Sequence, residues 1–113
     1  MQFYKLKLSR AQIDELSTQT DGYAWLAFDI RKHTVVAGNE HYQELKRKLY
    51  QLRSRAKDIF GVGIDLSNGE VTYRSPINRK VFDIFSSSRV PEDKEEAIEK
   101  EINYFFQHLF DAR

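Results

Sequence analysis

The sequence predicts one α+β domain in the order β-α-β-β-α-β-β-(β)-α, with a mostly antiparallel sheet of five or six strands packed with two long helices and one short helix. Three observations carry this prediction. The nearly continuous apolar run Tyr23 to Ile30 has the length of a single strand and the composition of one covered on both faces. The glycine-bearing run Ile59 to Leu66 passes through Asn68-Gly69 into the alternating segment Val71 to Ser75, which is the pattern of a hairpin. Glu40 to about Ala56 and Pro91 to Phe110 space their apolar residues by three and four, which is the helical period. With 113 residues the chain has material for one core and no second.

The elements follow in chain order. Phe3 to Leu8 alternates apolar and basic residues and reads as an edge strand, with Lys5 and Lys7 facing outward to discourage further pairing. Ser9-Arg10-Ala11-Gln12 is a capping box, and Leu8 is placed to staple onto Ile13, so a short helix runs from Ser9 to about Thr18. Thr20-Asp21-Gly22 ends it before the central strand, Arg31 to His33 makes a polar turn, and Thr34 to Ala37 returns as a short β-branched strand. The second helix presents Tyr42, Leu45, Leu49, Leu52 and Ala56 to the core. Asn68-Gly69 predicts a two-residue type I′ turn, because Asn and Gly reach positive φ most cheaply. Val71, Tyr73 and Ser75 then share one face, and Thr72 and Arg74 the other. Gly61 and Gly63 point the same way, so either a neighbouring element packs closely on that side or a ligand backs onto it, close packing being the simpler case.

Pro76 ends regular pairing, and Val81 to Phe85 allows a sixth strand. The last helix opens with Pro91 at its first position and Glu92 and Asp93 in its first turn. Ile98, Ile102, Phe105 and Leu109 form its core stripe, widened by Phe106 and Phe110. That breadth, and the contrast of an acidic last helix with a basic second one, predicts a homodimer.

Composition narrows the function. Lys plus Arg number 18 against 17 Asp plus Glu, a net charge of +1 that argues against a dedicated nucleic-acid binder while leaving room for a local basic patch. No run approaches the roughly 20 apolar residues of a membrane span, and the first residues lack a signal-peptide core, so a cytoplasmic protein without membrane partners is expected. The absence of cysteine excludes disulfides, thiolate zinc sites and thiol catalysis. His33, His41 and His108 show no metal-ligand spacing, so neither metal nor cofactor is expected.

Lys46, Tyr50, Arg53 and Lys57 fall on one line of the second helix, and between Lys46 and Lys57 there are six basic residues and no acid. Two interpretations stand: a solvated face whose cations complement the helix dipole, or a face that binds an anion or a partner. Three aligned cations neutralise about three phosphates and give a salt slope near −3, so such a face binds nucleic acid weakly, with Tyr50 able to add about 1–3 kcal/mol by stacking on a single-stranded base. Arg79 and Lys80, with Ser86-Ser87-Ser88-Arg89, offer a second set of cations and hydroxyls suited to phosphate. For catalysis the best acid/base pair is Glu40-His41, which with Ser75 and Asn78 composes a hydrolase-like set, although neighbouring helix positions diverge by about 100°. No nucleophile elbow, Walker loop or HExxH motif is present. The leading expectation is a non-enzymatic interaction module forming homodimers, followed by a weak nucleic-acid or anion binder and then by a small hydrolase-like enzyme.

Several short motifs carry a resemblance. The strand ending in Asp29-Ile30, then Val35 to Glu40 (VVAGNE), an amphipathic helix, Ile59 to Ile64 (IFGVGI), Ser75 to Asn78 (SPIN) and Ser88 to Asp93 (SRVPED) together resemble a small bacterial domain-of-unknown-function family, DUF5674, over roughly Leu26 to Ile102. Gly38, Glu40, Gly61, Ser75, Ile77 and Asn78 match its pattern. Asn39 stands where the family has a second Gly, Phe60 where it has Trp, and His41 one place before its His. The resemblance implies a small α+β protein of bacterial type and supplies no mechanism.

Overall fold

The computed structural model describes residues 1–80 and 84–111. Its central strand is the predicted one: β2 (Tyr23–Asp29) pairs antiparallel with β3 (Thr34–Gly38) on one side and with β4 (Ile59–Asp65) on the other. β1 (Gln2–Tyr4) lies outside β3 and β5 (Val71–Thr72) outside β4, giving a five-stranded antiparallel sheet in the order β1-β3-β2-β4-β5. The expected sixth strand, Val81 to Phe85, falls at 81–83 outside the described residues, and Ile84 and Phe85 form a turn.

Both faces of this sheet are covered, which is why β2 reads as apolar throughout. Helices α1 (Arg10–Thr20), α3 (Glu95–Phe105) and α4 (Gln107–Asp111) pack on the face carrying Leu26, Phe28, Val35, Phe60, Val62 and Ile64. Helix α2 (Tyr42–Gln51) packs on the other, where Ala27, Val36 and Ile59 meet Leu45 and Leu49. Alternation in the pleat places Trp25, Gly61 and Gly63 on this α2 face as well.

Several boundaries differ from expectation, each for a local reason. The first strand stops at Tyr4, because Leu8 drops into the core and its N–H donates to the Phe105 carbonyl at 2.9 Å. The capping box forms as predicted, Gln12 N–H donating to Ser9 Oγ (3.1 Å) and Ser9 N–H to Gln12 Oε1 (2.8 Å). The helix nevertheless continues to Thr20 and closes on Asp21 in the left-handed region (φ 56°). His33 is also left-handed (φ 51°), and its ring bonds the buried carboxylate of Glu101, tying the β2–β3 turn to α3.

Helix α2 begins after His41 and ends at Gln51, five residues before the predicted end at Ala56. Arg53 takes φ 68° and the Ser54 N–H returns to the Leu49 carbonyl (3.0 Å), so the chain turns away and Ala56–Asp58 forms a separate 3₁₀ turn. The hairpin turn is also wider than two residues. Asp65 and Glu70 close a four-residue loop in which only Gly69 has positive φ (76°), while Asp65 Oδ1 accepts from the Ser67 N–H at 2.9 Å. The reason is Leu66, which is buried and donates its N–H to the Gly22 carbonyl (2.8 Å), so the strand cannot turn immediately after it.

At the C-terminal end, Pro91 stays extended and Glu92–Lys94 forms a 3₁₀ turn, so α3 starts at Glu95. The helix breaks at Phe106 before α4, which lets Phe105 and Phe106 both point inward and become fully buried. Leu109 and Phe110 also pack on that core. The core of the broad stripe, Ile98, Ile102, Phe105 and Phe106, is thus buried within the chain itself, and Leu109 and Phe110 partly so.

Candidate anion-binding site

Residues Ser75 to Lys80 lie against the edge of β4, and the local sequence determines their course. Ser75 Oγ accepts from the Ile77 N–H (3.2 Å), Pro76 opens a 3₁₀ turn (Pro76–Asn78), and Ile77 is buried in the core beneath α2. Asn78, also buried, replaces a strand partner: its Oδ1 accepts from the Gly61 N–H (2.8 Å), and its Nδ2 donates to the carbonyls of Gly61 (2.9 Å) and Ser88 (2.8 Å). A side chain at position 61 has no room, since its Cβ would lie 2.7 Å from Ser75 Oγ and 3.1 Å from Ile77 Cβ. The two-glycine pattern is thus explained by close packing, at Gly61 by Ser75 and Ile77 and at Gly63 by the ring of Tyr23. Ser75 does not share the face of Val71 and Tyr73: those two pack on the α1–α3 core, whereas Ser75 sits over Gly61 on the opposite side.

This segment brings together basic residues from two parts of the chain. Between α2 and Pro76–Lys80 runs a cleft of about 430 Å³, bordered by Tyr42, Gln43 and Lys46 on one side and by Pro76, Arg79 and Lys80 on the other. Among the described residues no carboxylate lines it. Lys80 is held in place by donating Nζ to the carbonyls of Ala56 (2.9 Å) and Ile59 (3.0 Å) and by standing 5.0 Å over the Phe60 ring. Its pKa lies below the ordinary lysine value, first because burial penalises the ammonium and next because the charge of Lys46 is close, with Asp58 opposing. Lys46 and Arg79 form no ion pair among the described residues.

A second cavity, of about 270 Å³, adjoins the cleft and holds Glu40, His41 and Ser75 together with Trp25, Tyr42 and Pro76. Three of the four hydrolase-like candidates therefore meet, but each is engaged locally. Glu40 Oε1 accepts from the Met1 ammonium (2.8 Å), while Oε2 is buried with no hydrogen-bond partner among the described residues. Burial pushes the Glu40 pKa up, but that ammonium and the backbone amides of Glu40 and Asn39 outweigh it and bring the carboxyl below its usual range. His41 caps α2, its Nδ1 accepting from the Gln43 N–H (3.3 Å), and its ring stacks 4.4 Å from that of Tyr42. Among the described residues no hydrogen bond joins Glu40, His41 and Ser75.

Asn78 lies outside this cavity and borders a third hollow of about 610 Å³ with Lys80, Arg89, Glu92 and Glu95, where Arg89 is paired to Glu95. Two carboxylates make that hollow a poorer anion site than the cleft. The other residues of the predicted basic line are dispersed: Tyr50 is exposed on α2, Arg53 sits past its end in the left-handed turn, and Lys57 belongs to the 3₁₀ turn. The helix that was to align them is too short to do so. Tyr42 and Trp25 escaped notice as site residues because one fits the core stripe and the other the apolar run of β2. A usable signal existed for Trp25, whose cross-strand partners are both glycine, Gly38 and Gly63.

Among the described residues no group of three or more His, Asp or Glu is placed to hold a metal ion, and no helix is long and apolar enough to cross a membrane. Residues 3–109 match the model of a family described as a protein of unknown function (DUF5674), a wider span than the motifs alone mark out. No curated protein and no solved structure matches the chain.

Proposed function

The chain belongs to the DUF5674 family, whose function is unknown, and from its own geometry we propose that it is a cytoplasmic, non-enzymatic binding module that takes a small anion in the cleft between α2 and Pro76–Lys80. The observation that carries this is the gathering of Lys46, Arg79 and Lys80 around one concavity that, among the described residues, no carboxylate lines. Like charges held together raise each other's cost, as the effect of Lys46 on Lys80 illustrates, and a phosphate or carboxylate between them relieves it. Arg79 offers a planar fork for two anion oxygens and Lys46 a point charge. Calorimetric titration with inorganic pyrophosphate tests the proposal: saturable binding at low salt, weakening as salt rises and lost in Lys46→Glu/Arg79→Glu, is expected. Absence of binding by the unsubstituted protein at low salt overturns it.

A second reading, a homodimer formed along the outer edge of β1, has one observation in its favour. Phe3 and Leu6 are 42% and 73% exposed beside a strand edge unpaired among the described residues. Sedimentation equilibrium that finds only monomer at high concentration dismisses it.

A further inference from the structure

The cationic cleft and the aromatic cavity are neighbours, for Tyr42 and Pro76 line both. Resting on the anion reading above, we propose that together they form one trough for a phosphorylated nucleoside, with the phosphate between Lys46 and Arg79 and the planar base against Trp25.

Trp25 is anomalous for its position. Its neighbours on the central strand, Ala24, Leu26, Ala27, Phe28 and Asp29, are fully buried, yet the indole is 38% exposed. Its cross-strand partners, Gly38 and Gly63, contribute no side chain of their own, the space over them being taken by Glu40 and Tyr23, and α2 begins at Tyr42, so the helix layer stops short of it. Tyr23 meets the indole at 69° with ring centroids 5.3 Å apart, which holds the plane of the ring in place. A rigid, open aromatic surface of this kind stacks any nucleobase, since every base has a π-face.

The charges give the trough a direction. Glu40, paired with the Met1 ammonium, lies at the Trp25 end and the cations at the other, so a phosphate is drawn to Lys46 and Arg79. Lys46 stands one helical turn beyond Tyr42, about 6 Å along α2, so the cations begin where the aromatic cavity ends. The cavities, about 270 and 430 Å³, together suit one small ligand. A single stacking surface and one cluster of cations, in a chain of net charge +1, favour a free mononucleotide over a nucleic-acid strand.

Because the chain has one tryptophan, its fluorescence reports on this site alone. The full-length protein is titrated with nucleoside 5′-monophosphates, an unphosphorylated nucleoside, ribose 5-phosphate and a single-stranded oligonucleotide. Monophosphates are expected to bind saturably and quench Trp25, the nucleoside to bind about tenfold or more weakly, and ribose 5-phosphate to compete without quenching. In calorimetry, Trp25→Leu is expected to lower mononucleotide affinity about tenfold or more while leaving ribose 5-phosphate unchanged; Trp25→Ala serves if that variant fails to fold. If ribose 5-phosphate binds but monophosphates bind no tighter and leave the fluorescence unaltered, the anion site stands and the nucleotide assignment is refuted. If none of the phosphorylated ligands binds, both fall, and tighter binding of the oligonucleotide than of any mononucleotide refutes the free nucleotide as occupant.

Discussion

Replacing Asn78 with alanine separates a structural role for this residue from a chemical one. Its side-chain amide satisfies the N–H and the carbonyl of Gly61 and donates a further hydrogen bond to the Ser88 carbonyl. The Ser88 carbonyl keeps a second donor, the Ser75 N–H at 2.8 Å, so its loss is tolerable. Gly61 has no substitute on that edge, and it is buried. Two buried backbone groups without partners cost about 1–3 kcal/mol each, so Asn78→Ala should destabilise by about 2–6 kcal/mol, a large part of the 5–15 kcal/mol typical of a small domain. Urea denaturation, with slopes of about 1–3 kcal/mol per molar, would register this as a midpoint lowered by about 1 M or more. Asn78→Asp is the sharper control. It keeps the volume and the acceptor for Gly61 N–H but turns a carboxylate oxygen toward two carbonyls, so at neutral pH it should be at least as destabilising as alanine. A loss below about 1 kcal/mol for either variant, with unchanged slope, would refute the view that Asn78 stands in for a strand.

Three further outcomes are expected. Glu40 has a folded pKa below its ordinary value of 4.5, so its contribution to stability is complete above that value and fades as pH falls through the lowered one; the urea midpoint of Glu40→Gln should therefore drop less than that of the parent between neutral and acid pH. A chain ended before Phe105 loses two fully buried phenylalanines, each worth about 3–5 kcal/mol when truncated to alanine, together with the carbonyl that accepts from Leu8, and should show no cooperative melt by circular dichroism. Arg53→Gly should stabilise by up to about 1 kcal/mol, because glycine occupies the left-handed conformation at φ 68° without a Cβ penalty, and it should leave pyrophosphate binding unaltered since Arg53 does not line the cleft.

Elements whose signals lie within a few residues were legible in the sequence. The Ser9–Gln12 capping box, the doubly covered strand at Tyr23 and the crowding at Gly61 all appear in the structure. Element ends were less so, because two of the left-handed turns fall on His33 and Arg53, where no glycine announces them. The early end of α2 at such a turn separated Arg53 and Lys57 from Lys46 and dissolved the predicted basic line. The turn at Asn68-Gly69 widened because Leu66 had to be buried, a demand made by the core and not by the turn residues. Of the hydrolase-like set Glu40, His41, Ser75 and Asn78, the first three line one cavity, and Lys46 and Arg79 line the adjoining cleft.

Hydrophobic period, capping pairs and glycine placement determine by themselves that this chain is an antiparallel sheet with helices on both faces, since each depends on side chains that are neighbours along a strand or a helical turn. Which cations are paired and which are free was decided only by the tertiary structure. Arg89 meets Glu95 and Lys80 turns inward onto backbone carbonyls, while Lys46 and Arg79, far apart in the chain, are left facing the same cleft. Electrostatic partners are chosen by distance in space, and no pattern of adjacent residues encodes that distance.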